Sequence, residues 1–93
     1  MSMHIGEKIR EIREAEGLSR ASFAERIGIP KDTVMRIEQG RNDPRATILI
    51  AVTRQWPKYA YWLMTGLSQP EAGHISPAIE RARKDSPGAE KAS

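Results

Sequence analysis

The sequence predicts an all-α fold, with five helices in one small domain and a short extended segment after them. Three observations predict it. Apolar residues recur at helical spacing in successive segments. Glycine and proline punctuate those segments at their expected ends. Two of the segments are short and joined by a tight turn at Gly28. The length of 93 residues fits a single domain with a modest core. Chains this small often gain stability by forming oligomers.

Residues 4–16 read as a first helix, because Ile5, Ile9 and Ile12 form one apolar stripe. Glu7, Glu11 and Glu14 alternate with Lys8, Arg10 and Arg13 around its polar face, and Gly17 suits a left-handed stop. Ser19 is a natural N-cap for a second helix at 20–27, which turns Phe23, Ala24 and Ile27 inward and ends at Gly28. Ile29 and Pro30 lead into a third helix at 31–39, with Val34 and Ile37 inward and Gly40 as its stop. Asn42, Asp43 and Pro44 form a turn. A fourth helix at 45–54 buries Ile48, Leu49 and Val52. Pro57 opens a fifth at 57–65, which buries Trp62 and Leu63 and closes at Gly66.

The texture changes at Leu67. Pro70, Gly73, Pro77, Pro87 and Gly88 argue against a long helix there. The expected organisation is a domain at 1–66, a dimerisation segment at 67–84 and a flexible tail at 85–93. Within the middle segment, Ala72 to Ser76 is expected to be extended and Ala78 to Lys84 to form a helical turn.

Composition excludes several classes of function. There are no cysteines, so disulfides and thiolate metal sites are ruled out. No apolar run approaches the roughly 18 residues that a membrane span needs. The first residues lack a charged and then apolar signal region, and the expected location is the cytoplasm. His4 and His74 stand in no ligand spacing, so no metal and no cofactor are expected. Nothing places either histidine against a serine nucleophile, and no enzymatic activity is expected. The net charge is +3, and residues 1–66 carry the whole excess, with eleven Lys/Arg against eight Asp/Glu. A basic excess favours nucleic acid or another anionic surface.

One constellation carries chemistry. Two short helices crossing closely need a small residue at the crossing, and Ala24 supplies it. The turn four residues later needs a positive φ, which Gly28 adopts without a Cβ penalty. The second helix of the pair must bury two apolar residues, and Val34 and Ile37 do so. That leaves Lys31, Asp32, Thr33, Met35 and Arg36 for the outside.

The run "GEKIREIREAEGLSRASFAERIGIPKDTVMRIEQGRNDP" resembles the Cro/lambda-repressor helix-turn-helix family over about residues 5–66. Leu18-Ser19, Ala24-Glu25, Gly28, Ile37-Glu38, Gly40-Arg41 and Pro44 stand where that family puts them. Arg20 departs from the glutamine often found there. A narrower resemblance runs through about residue 80. "LSRASFAERIGIP", "YAYWLMT" and "PEAGHISPAIE" are similar to the C immunity repressors of temperate phages of the P-two type.

The resemblance implies a lambda-repressor-like domain that binds a double-stranded DNA operator and represses transcription as a homodimer. The third helix would enter the major groove. Lys31, Asp32, Thr33 and Met35 would meet base edges there, or Asp32 would instead cap the helix end and bond Lys31 or Arg36. Arg20 would clamp a phosphate or a guanine. Arg36, Gln39, Arg41 and Asn42 would hold phosphates. The dimer interface is expected at Tyr61, Trp62 and Met64 together with Ala72, Gly73, His74, Ile75 and Ser76. The reasoning is that an extended strand needs hydrogen-bond partners, which the same strand of a second copy would supply. The length leaves no room for a ligand-binding domain, so no small-molecule ligand is expected and relief of repression would fall to an antagonist protein or to altered expression. Other readings are the antitoxin of a toxin–antitoxin pair, a restriction–modification controller and, in a different class, a helical protein-binding adaptor.

Overall fold

The computed structural model describes residues 3–85. Six α-helices follow one another: α1 (Ile5–Ala15), α2 (Arg20–Ile27), α3 (Lys31–Glu38), α4 (Ala46–Gln55), α5 (Ala60–Thr65) and α6 (Pro77–Asp85). Single 3-10 turns at Pro57–Tyr59 and Pro70–Ala72 lie between them. The helical class expected from the sequence holds, and the described residues contain no strand longer than an isolated bridge.

Local chemistry explains the boundaries. The imidazole Nδ1 of His4 accepts from the amides of Gly6 and Glu7 and so caps α1. Ser19 caps α2 through the Ser22 amide at 3.1 Å. Gly28, at φ 74°, lets the chain turn out of α2, and the Ile29 amide reaches back to the Ala24 carbonyl at 3.0 Å. Any residue with a Cβ is strained in that conformation. Pro30 then stands just before α3, where its carbonyl accepts from Thr33 and Val34.

The core gathers Ile9, Ile12, Phe23, Ala24, Val34, Ile37, Val52, Trp56, Tyr59 and Leu63, all buried. Trp56 stacks on Phe23 with centroids 5.0 Å apart and planes 6° from parallel. Gly6 is the point of closest helix approach, since a Cβ there would overlap the Ile37 carbonyl oxygen. The start of α1 therefore rests directly on the end of α3.

The segment after Gly66 differs from expectation. It forms a 3-10 turn, one antiparallel bridge between Gln69 and His74, and then helix α6. Within the stretch expected to be extended, the amides of Ala72, Gly73, His74 and Ile75 bond to Gln69, Pro70, Gln69 and Lys58 of the same chain. Those groups need no strand from a second copy. Pro77, read as a breaker, is instead the first residue of α6, a position where its missing N–H costs nothing. The Ser76 hydroxyl accepts from the Ile79 amide and caps the helix. The expected division at residue 66 thus precedes a helix that returns to α1. Residues 86–93, most of the expected tail, lie outside the described residues.

Charge attaches α6 to α1. Arg81 reaches Glu11 at 3.0 Å and Glu14 at 3.3 Å. Lys84 donates to the Ala15 carbonyl at 2.6 Å, satisfying an orphan acceptor at the end of α1. Glu80, with a side chain 1% exposed, pairs with Arg83 at 2.7 Å and Lys58 at 3.2 Å. Lys58 also holds Glu16, which accepts from the Tyr59 hydroxyl at 2.7 Å. Burial pushes the Glu80 carboxyl upward, but Arg83 and Lys58 outweigh it and hold the group below the usual carboxylate range. Glu16 is held low in the same way, with burial opposed by the Tyr59 and Lys58 hydrogen bonds. Burial and the Glu16 carboxylate push the Tyr59 hydroxyl up, so it stays a donor.

A carboxyl lowered by folding stabilises the fold above its unfolded value, and that stability is lost as pH falls through the folded value. The melting temperature of the protein is therefore expected to hold steady down to about pH 5 and to fall below about pH 4. Glu80→Gln should melt lower than the parent at pH 7, with the gap closing in acid. A gap that persists unchanged at pH 2 would remove this ion network as its cause.

Candidate nucleic-acid interface

Helix α3 has one buried side and one open side. Val34, Ile37 and Glu38 are buried, at i, i+3 and i+4 of the inner stripe. Lys31, Asp32, Arg36 and Gln39 are exposed, and Thr33 and Met35 are half-buried. Arg41, Asn42 and Arg45 follow on the exposed loop into α4. Thr33, Asn42, Asp43 and Arg45 share a cleft with Ile29, Pro30, Thr47 and Ile48. The structure thus puts the eight expected contact residues from 31 to 42 on or beside one short helix.

The electrostatics of the two sides of the protein differ. On α1 and α6, Arg10, Arg13, Arg81, Arg83 and Lys84 are all engaged by carboxylates. Around α3, Lys31, Arg36, Arg41 and Arg45 make no ion pair among the described residues. Their charge is left to the solvent or to a polyanion. Asp32 and Asp43 are likewise unpaired there and reduce the local excess.

Arg20 is different. Its Nε donates to Glu38 Oε1 at 3.0 Å. Arg13 grips the same carboxylate through Nε at 2.7 Å and Nη2 at 3.1 Å, and its Nη1 donates to the Leu18 carbonyl. This network joins α1, α2 and α3. The roles of Glu38 and Arg13 were missed by sequence reasoning. The available signal was a carboxylate on the apolar stripe of α3, one residue after Ile37.

The expected interface residues are scattered. Tyr61 leans on His74 with centroids 5.6 Å apart, and Trp62 lies beneath the Lys8 ammonium. Ile75 packs against the core of its own chain, Ser76 caps α6, and Ala72 and Gly73 sit in the 3-10 turn and its end. Met64 is 63% exposed, with Ile50 at 47% and Leu67 at 59%. Ile50 and Met64 border an apolar groove between α4 and α5 with Ala46, Leu49, Thr53 and Ala60.

Two short helices in contact, α2 with Ala24 buried and α3 with an exposed outer face, joined through a left-handed turn at Gly28, define a helix-turn-helix protein. Residues 4–54 match the helix-turn-helix domain family, which is more than half of the chain, and the chain belongs to that family. It is 40% identical over 81 residues to Repressor protein C of Escherichia phage P2, covering 85% of this chain and 82% of that protein. Both resemblances read from the sequence, the general and the narrower, hold. Among the described residues no helix is long and apolar enough to cross a membrane.

Proposed function

We infer that the protein is a sequence-specific DNA-binding transcriptional repressor that places α3 in the major groove and acts as a homodimer. One observation carries this reading: α3 is anchored through buried Glu38 and offers Lys31, Thr33 and Met35 outward, beside cations that make no ion pair among the described residues. Lys31 donates to guanine acceptors and the Thr33 methyl meets thymine. Asp32 accepts from cytosine. Arg36, Gln39, Arg41 and Asn42 hold phosphates and set the register. The relative named as a repressor supports the same conclusion.

Footprinting on the region around the gene, with salt titration, tests it. Each phosphate neutralised is expected to add about −0.9 to the slope of log affinity against log salt. Lys31→Ala is expected to change the preferred sequence at one base pair, by about 1–3 kcal/mol, whereas Arg41→Ala weakens all sequences alike. A flat salt response, or an unchanged preference in Lys31→Ala, would count against α3 as the reader.

The dimer reading rests on the α4–α5 face. Of the residues expected at the interface, Met64 lies there, beside Ile50. Helix α4 carries one charge, Arg54, and α5 carries none. A patch without charge can meet its own copy about a two-fold axis without repulsion. Met64→Glu is expected to sediment as a monomer, stay helical and lose most operator affinity. A Met64→Glu dimer of unchanged strength would move the interface elsewhere.

A further inference from the structure

We propose that Glu38 is a positioning residue for recognition: it fixes Arg20 so that the outer edge of its guanidinium is a preset two-pronged donor for paired acceptors on DNA. The inference rests on the DNA-binding reading above and specifies how one of its contacts is built. The two arginines on Glu38 are used differently. Arg13 spends its donors inside the fold, on both carboxylate oxygens and on the Leu18 carbonyl. Arg20 gives Glu38 only its Nε, and among the described residues no protein acceptor meets its two Nη groups. Its side chain is 34% exposed, whereas that of Glu38 is 1% exposed.

Geometry makes the difference functional. A guanidinium is planar, so holding Nε leaves the two Nη groups pointing away together as a fork. Arg20 lines a concavity together with Arg13, Ser19, Ala21 and Lys31, residues that include the first turns of α2 and α3. Lys31 is the first residue of the proposed reading helix and shares that concavity. An acceptor gripped by Arg20 therefore lies at a set distance from the bases that α3 meets. The matching chemistry is two acceptors side by side, which both the O6/N7 edge of guanine and two oxygens of one phosphate provide. A loose arginine would have to be ordered on binding, whereas this one is ordered beforehand.

The test uses the full chain, a random-sequence duplex library and the duplex that the wild type selects from it. Arg20→Lys keeps the charge, leaves Arg13 on Glu38 and removes the fork. It should melt like the parent and bind the selected duplex on the order of ten-fold less tightly. Loss of one selected guanine from the preference would assign the acceptor to a base edge. An unchanged preference, with loss of interference from ethylation of one phosphate, would assign it to the backbone. A Glu38→Gln background should shrink the loss caused by Arg20→Ala, an effect that a purely structural carboxylate would not produce. If that background does not fold, Arg20→Lys alone decides. Selected-site affinity equal to wild type in Arg20→Lys overturns the proposal while leaving the DNA-binding reading intact. A wild type that selects no sequence overturns both.

Discussion

Replacing Glu38 with alanine is expected to cost about 3–5 kcal/mol of folding stability, because it strands a partly buried arginine without its counter-charge. The Arg13 side chain is 12% exposed and meets Glu38 at 2.7 Å. The carboxylate also ties α3 to α1 and α2, so its loss releases both anchors at once. For a domain of this size, each kcal/mol shifts the melting temperature by roughly 4–8 °C, so a fall well beyond 10 °C is expected. Thermal melts of Glu38→Ala and of the paired change Arg13→Met with Glu38→Leu separate the causes. The pair should recover much of the loss, since apolar replacement removes the stranded charge together with the bridge. A Glu38→Ala protein that melts like its parent would show that the network carries little of the stability.

Gly6→Ala is the second large effect, and its sign is diagnostic. In an ordinary helix interior, exchanging glycine for alanine stabilises by about 1 kcal/mol. Here the new methyl would strike the Ile37 carbonyl oxygen, which is backbone and cannot rotate away. Either α1 must lift from α3 or the last turn of α3 must distort. The expected result is a net loss of roughly 3 kcal/mol, at the upper end of what overpacking costs. DNA affinity should fall with it, because Gln39, Arg41 and Asn42 follow directly on that turn. Urea denaturation of Gly6→Ala measures the loss. A gain in stability would mean that the two helices do not approach as closely as described.

The parts legible in the sequence are those governed by short-range physics. Ile5, Ile9 and Ile12 announce α1, Ser19 and Gly28 bracket α2, and Val34 with Ile37 orients α3, all within a few residues of where they act. Trp56 and Tyr59 carry no local signal of that kind. Their burial depends on Phe23 and Glu16, which are distant in sequence. Helix α6 was undervalued because Pro77 has two meanings, breaker and helix opener, and the Ser76 cap that decides between them is a three-residue signal. The low apolar content of α6 hid it further, since Arg81 and Lys84 attach it by charge to residues near the other end of the chain. The outward residues of α3 follow from helical phase. Glu38 and its two arginines do not, because periodicity places a side chain on a face without saying which remote group it meets there.

The attachment of α6 to α1 also orders events during synthesis. Glu11 and Glu14 are made early, and Arg81, their partner from the other end, is made about seventy residues later, as the sequence separation shows. The growing chain therefore contains the helix-turn-helix before it contains Arg81, the α6 partner of Glu11 and Glu14. Local helices form quickly, while a contact between distant residues must first close a long loop. Docking of α6 on α1 is thus expected to follow formation of the local helices, α3 among them.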